Sequence, residues 1–393
     1  MKRLPAYNKR RGPLDDTTTR AFATTTIARP KSQSREETRR SPARRVDPRL
    51  VALRTAVPSY SLGQPDVAER VRLLFSEIDG EAVERLMPIF GNAGIERRYS
   101  CVPIDWYISP HGWRDRNALY LEHAANLLER AGRDCLEDAG LRPRDVDAVV
   151  AVSTTGVATP SLDALLINRL GLRSDVRRLP IFGLGCAGGV VGMARAADMA
   201  RSDPTAKVLY LAVELCALCF RKNDTSKSNF VATALFGDGA AAAVISGAGE
   251  DGPVFTASGE HTWPDSLDIM GWDVAEDGLK ALFSRDIPTL VRGQMREVAG
   301  EFLAKQGLTF ADIDHFACHP GGAKVLTALE EAFGLAEGSL GASRGVLRDF
   351  GNMSAVTVLF VLERMLAEGL SGRVLMTALG PGFTAAFQLL EAS

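Results

Sequence analysis

Short, uninterrupted runs of apolar residues alternate along this chain with stretches of helical length. Ala148–Val152 and His315–Cys318 read as buried strands. Each leads into a loop rich in Gly, Thr or Pro and then a helix, Ser161–Leu170 and Ala323–Phe333. A tight glycine turn follows in both places, then a long apolar helix (Ala187–Arg201; Met353–Glu368) and another buried strand (Val208–Leu215; Val374–Leu379). Strands that are apolar along their whole length must be covered on both faces. Alternating with helices, they predict mostly parallel sheets in an α/β chain with an α/β/α/β/α layering.

The same order of elements occurs twice. RPRDVDAVVAVSTTG (142–156) parallels TFADIDHFACHPGG (309–322), with Asp145 and Asp147 matching Asp312 and Asp314 at an offset of 167. Gly185-Cys186 matches Gly351-Asn352, and Lys207-Val208-Leu209 matches Arg373-Val374-Leu375, at an offset of 166. Two separate segments that keep nearly one offset indicate a duplicated unit. Two halves are therefore expected, 49–248 and 249–393, joined near residue 248 and meeting about a pseudo-twofold axis.

The 393 residues are 46% hydrophobic, enough for a large core. A net charge of −2 hides an asymmetry: residues 1–49 hold 14 basic and 5 acidic side chains, the remainder 32 and 43. Residues 1–48 are rich in Arg, Thr, Ser and Pro and poor in large apolar side chains, so a disordered basic tail is expected there. An Arg-rich, acid-poor start also suits an organelle transit peptide or an extended start. The near-neutral balance gives no sign of a nucleic-acid partner. No run of about 18 apolar residues is present, so no stable membrane insertion is expected. Six cysteines without paired spacing fit a reducing, cytoplasmic setting. Cys216 and Cys219 form a lone C-x-x-C at the end of an apolar run, which favours core or pocket-wall thiols over zinc; no metal site is expected.

The segment IFGLGCAGG poses a choice. Gly183, Gly185 and Gly188 have the G-x-G-x-x-G spacing of a dinucleotide cradle, and Glu214 lies near the end of the next strand, where a ribose-binding acid could sit. Yet the second copy of the repeat reads G-N-M-S where the first reads G-C-A-G, so the phosphate spacing is not repeated. What is repeated is one polar or reactive side chain at the start of a buried helix. Free N–H groups and the positive dipole end at that place favour a thiolate on Cys186. His319 follows a buried strand directly and precedes Pro-Gly-Gly. Asn352 takes the place of Cys186 in the second half. A thiolate held ionised by a protonated His, with His and Asn donating to an oxyanion or an enolate, is equipment for acyl transfer and for decarboxylation.

GCAGG, LFGDGAAAAV, CHPGG, GNMSA and GPGFT, in that order, resemble the type III polyketide synthases, the chalcone-synthase family of thiolase-fold enzymes. The likeness runs from about residue 50 to the C-terminus. It implies a thiolase-like five-layered fold, a homodimer, and acyl-CoA and malonyl-CoA as substrates, with no carrier protein and no separate cofactor. By motif, Cys186 resembles the acyl-accepting nucleophile, and His319 and Asn352 the decarboxylation and oxyanion pair. Phe236 resembles the gatekeeper between the coenzyme A tunnel and the cavity. Thr154 and Thr155 resemble the cavity-wall loop, and Thr159 stands where plant members place a Met that reaches into the partner's cavity. Gly382 and Phe383 belong to the loop that resembles the pocket floor.

Other positions depart from the plant pattern. Cys216 and Cys219 replace two cavity threonines, Ala281 a bulky Phe, and Trp272 falls near a pocket Gly. For coenzyme A the resemblance implies Arg85, Gly321 and Gly322. Pro88 and Asn92 stand where plant members have cations, and Lys324 is a candidate to compensate. Residues 101–124 resemble bacterial members that make alkylpyrones or alkylresorcinols from fatty acyl starters, so a pyrone or resorcinol product is expected. Phloroglucinol- or tetrahydroxynaphthalene-type products, a chain-initiating ketoacyl synthase and a dinucleotide-binding oxidoreductase are the alternatives.

Overall fold

The computed structural model describes residues 46–247 and 251–393, without the side chains of 76–79 and 82. The expected tail lies outside the described residues up to 45, and so does the junction expected near 248. Residues 46–48 belong to the body: the Pro48 carbonyl accepts a hydrogen bond from Phe255 N at 2.8 Å.

Nine strands form one sheet system. In chain order they are β1 (Arg49–Ala56), β2 (Ala148–Val152), β3 (Arg177–Ile181), β4 (Lys207–Leu215), β5 (Asp238–Ser246), β6 (Val254–Thr262), β7 (His315–Cys318), β8 (Gly372–Gly380) and β9 (Thr384–Ala392). Their lateral order is β7-β8-β9-β6-β1-β5-β4-β2-β3. The order is palindromic about the β6–β1 contact: β1-β5-β4-β2 on one side mirrors β6-β9-β8-β7 on the other. The duplication read from the sequence is thus a duplication of topology. Strand β3 has no strand counterpart. The matching stretch of the second half is a helix, Gly341–Phe350.

The expectation of mostly parallel sheets is wrong. Only β2–β3, β2–β4 and β7–β8 pair parallel, while β4–β5, β5–β1, β1–β6, β6–β9 and β9–β8 pair antiparallel. Apolar runs record that both faces are covered, not which way the neighbouring strand points. The coverage itself is as expected. Val149, Leu209, Leu211 and Ala242 face an outer cluster. Val150, Val208, Tyr210 and Ala241 face an inner one. In the second half Leu375 and Phe387 face a third cluster, whereas Val374 and Met376 share the inner one.

Two helices fill the inner layer, Gly188–Ser202 and Thr357–Ala367, each entered through a single 3-10 turn, Gly185–Ala187 and Ser354–Val356. Each touches strands of both halves. The outer helices Trp113–Asp138 and Leu162–Leu170 cover the first half, and Ile287–Ala304 and Ala323–Phe333 the second. The result is the expected α/β/α/β/α stack. Cys186 and Asn352 stand where the inner helices begin.

Candidate active site

Cys186 sits in the middle of the first 3-10 turn, 7% exposed. Gly185 holds a φ of +48°, a conformation glycine adopts without penalty. Its N–H donates to Thr154 Oγ1 at 3.1 Å. A Cβ on Gly185 would lie 2.6 Å from Pro381 Cδ, and one on Gly188 2.8 Å from Val152 Cγ1. The glycines therefore serve close packing. Two of the three glycines of the spacing are thus taken up by packing within the chain, which speaks against the dinucleotide reading. Glu214, its supposed ribose ligand, is fully buried and turned toward the nucleophile loop.

His319 directly follows β7, and its N–H donates to Thr377 O at 2.8 Å. Both imidazole nitrogens are buried without a partner. Asn352 Nδ2 donates to Gly321 O at 3.2 Å, while its Oδ1 accepts from Ser354 N at 2.8 Å. Gly321 in turn flanks the His319 ring, since a Cβ there would be 3.9 Å from Nε2. The Asn352 amide favours the ionised form of Cys186. Cys186, His319 and Asn352 line one cavity of about 350 Å³. The three residues picked from the sequence are brought together by the fold.

Burial works against charge on both groups. Burial pushes the Cys186 thiol up to about 12, against the pull of Ser354 and Asn352 as donors. Burial alone lowers His319 to about 3. Burial thus drives each group toward its neutral form, because a site dry enough to strengthen later electrostatics also penalises each charge separately.

Ser354, which motif reading missed, and Glu214, which it assigned to a ribose, both act on the sulfur. Ser354, buried with a φ of +48°, favours the ionised forms of both Cys186 and Glu214. Glu214 Oε2 accepts from Thr154 N at 3.0 Å and from Thr155 Oγ1 at 2.8 Å. Burial raises its carboxyl to about 7, against those same donors. A lone Glu within the otherwise apolar run of β4 was the available signal.

The remaining residues divide. Gly321, Gly322 and Lys324 line the cavity, joined by Lys227 and Arg285, which sequence reading passed over. No Asp or Glu lines it among the described residues. Arg85 does not line it: it is exposed on the helix Gln64–Leu86, and Pro88, Ile89 and Asn92 form that rim instead. Thr155 is a strut, bonded to Glu214 and Leu215 N. Thr159 is exposed on this single chain. Phe383 points away, stacked on Trp263 at 5.3 Å within the outer cluster of the second half, and Gly382 leans on Thr384.

Phe236 forms an apolar partition with Cys216, Ala281 and Trp272. Its ring meets Phe283, a cavity-lining residue, at 5.7 Å. On the far side of Phe236 and Cys216 is a second, narrow cavity of about 50 Å³, walled by Leu62, Val71, Leu74, Ile104 and Phe220. Cys219 faces a separate small hollow beside Trp113 and Leu279. Both thiols are free and buried.

Residues 35–250 match the family model of chalcone and stilbene synthases, N-terminal domain, and residues 255–390 the C-terminal domain of the same family. The chain therefore belongs to the chalcone and stilbene synthases, the type III polyketide synthases, and is an acyl-transferring enzyme. It is 38% identical over 358 residues to a putative chalcone synthase of Bacillus subtilis, covering 87% of this chain and 98% of that one. It is 39% identical over 352 residues to the 1,3,6,8-tetrahydroxynaphthalene synthase of Streptomyces peucetius, covering 87% and 92%. The crystal structure of the corresponding Streptomyces coelicolor synthase superposes with a TM-score of 0.84 at 30% identity, over 88% of this chain and 99% of that one.

The raised Glu214 carboxyl has a measurable consequence. It is protonated at low pH without penalty, and the folded state loses stability as pH rises from the ordinary value of 4.5 through about 7. Relative to the wild type, Glu214→Gln should gain about 3 kcal/mol in unfolding free energy between pH 4.5 and pH 8. Urea unfolding of both proteins across that range checks it, and parallel pH curves would exclude the assignment.

Proposed function

We propose that this chain condenses malonyl-CoA onto a fatty acyl starter held on Cys186 and cyclises the product to a pyrone or resorcinol. The supporting observation is the convergence of Cys186, His319 and Asn352, from distant parts of the chain, on one cavity. The thiol proton passes to His319 as the sulfur attacks the acyl-CoA carbonyl. The C–S bond to coenzyme A breaks, and the coenzyme A thiolate takes that proton. Malonyl-CoA then loses carbon dioxide, and His319 and Asn352 donate to the enolate oxygen so formed. The enolate carbon attacks the Cys186 thioester, which expels the sulfur and leaves a β-ketoacyl-CoA two carbons longer. Reloading on Cys186 repeats the cycle.

The starter assignment rests on the narrow cavity behind Cys216 and Phe236. Its walls are apolar, which suits an alkyl chain. Incubation with malonyl-CoA and a ladder of acyl-CoA starters, read by mass spectrometry, tests this. Long-chain starters should be preferred, and Val71→Trp should move the optimum to shorter chains. Cys186→Ala should abolish product, while Cys186→Gln should retain malonyl-CoA decarboxylation. Product made from malonyl-CoA alone, with no use of fatty starters, would instead favour the naphthalene chemistry of the Streptomyces relatives. A need for malonyl-carrier protein would favour a ketoacyl synthase.

Lys227, Arg285 and Lys324, with no acidic residue among the cavity lining, suit the phosphates of coenzyme A. Lys227→Ala and Lys324→Ala together should raise KM for malonyl-CoA about tenfold, the equivalent of one charge-assisted hydrogen bond. An unchanged KM would remove these lysines from substrate binding.

The reading includes a cytoplasmic homodimer. Val157 and Phe182, 50% and 62% exposed, follow the adjacent ends of β2 and β3 beside Thr159, where a second copy would cover them. Sedimentation at the mass of a single chain would exclude it.

A further inference from the structure

Arg98 is 2% exposed, yet its guanidinium has no acidic partner among the described residues. Its partners are carbonyls. Nη2 donates to Ala234 O at 2.9 Å, and Nη1 to Phe236 O at 3.3 Å and to Thr233 O. These oxygens belong to the last turn of the helix Lys227–Leu235 and the residue that caps it, where the dipole is negative. A buried cation without a carboxylate is a costly choice for stability alone, since an apolar side chain would fill the same space.

What the guanidinium holds is the corner on which the site turns. Asn352 N donates to Leu235 O at 2.8 Å, and Gly237 N donates to Asn352 O at 3.0 Å, so residues 235–237 and 352 are tied backbone to backbone on the far side of that turn. The fit is tight. Gly351 holds a φ of +70°, and a Cβ there would lie 2.8 Å from Leu235 O and 3.4 Å from Arg98 Cβ. A Cβ on Gly237 would lie 3.3 Å from the same Arg98 Cβ. Arg98 also lines the narrow cavity with Phe236. One side chain therefore touches the segment carrying the partition ring and the segment carrying the Asn352 amide.

We infer that Arg98 is a positioning residue for acyl extension: clamped to the carbonyls of 233, 234 and 236, it fixes the Asn352 amide and the Phe236 ring relative to each other. The inference rests on the acyl-transfer reading above. It assigns Arg98 to the enolate-forming step and to starter selection. Loading of Cys186 rests on the nucleophile turn, where the Gly185 N–H donates to Thr154 Oγ1.

The test compares wild type, Cys186→Ala, Arg98→Met and Arg98→Lys. Intact-protein mass spectrometry follows acylation of Cys186 by lauroyl-CoA, and steady-state assays give kcat and KM for malonyl-CoA and the starter-length profile. Arg98→Met should load Cys186 at the wild-type rate with KM little changed, lose ~100-fold in kcat as expected for a displaced donor, and accept a broader range of starters. Arg98→Lys, which keeps the charge but lacks the rigid two-nitrogen fork that holds the carbonyls of 233, 234 and 236, should recover part of the kcat. If Arg98→Met does not fold, the Lys variant decides by the same split of kcat from loading. Wild-type kcat and starter profile in the folded variants overturn the inference. So does a parallel loss of loading and turnover, which marks a merely structural role. A wild type that never loads Cys186, or product from Cys186→Ala, overturns the acyl-transfer reading and this inference with it. A loaded wild type with unaltered Arg98 variants overturns this inference alone.

Discussion

The two inner helices begin in contact with each other, and the site exists because they do. A Cβ on Gly188 would lie 3.3 Å from Ala355 Cβ, and one on Gly189 would overlap the Ala355 carbonyl. Larger side chains there would push the helix starts apart in an interior that has no slack. Because both helices are clasped between the two halves of the sheet system, the contact is set by the whole stack. It delivers Cys186 from one half and Asn352 from the other to a common point, while β7 ends beside them and contributes His319.

Dryness at that point follows from the same layering and acts in two directions. It makes the thiol reluctant to ionise and the imidazole reluctant to accept a proton. It also strengthens any hydrogen bond offered to a developing negative charge. The donors are already in place, with Asn352 tied to Gly321 and Ser354 favouring charge on both the sulfur and Glu214. Ionisation is thus left to the moment when substrate fills the cavity and proton transfer creates a pair of opposite charges.

Much of this was legible in the sequence, for identifiable reasons. The repeat offset revealed the two halves because equivalent strands and turns need equivalent residues. Cys186 and Asn352 stood out because each stands beside glycine at the start of a buried helix, and His319 because it directly follows a buried strand. Strand direction was not legible, because burial on both faces yields the same apolar run whichever way the neighbour points. Arg85 misled because its helix carries it to the surface while the following turn forms the rim. Phe383 misled because alternate residues of a loop face opposite sides. Lys227, Arg285 and Arg98 were invisible because their significance lies wholly in contacts between distant segments.

The palindromic strand order carries a further implication. Two identical half-size chains related by a true twofold axis would present the same side chain at both helix starts, either two thiols or two amides. Only covalent fusion frees each copy to specialise, one as electron donor and the other as solvent-like host for the charge it generates. The helix that stands in for a counterpart of β3 is the same freedom expressed in the backbone.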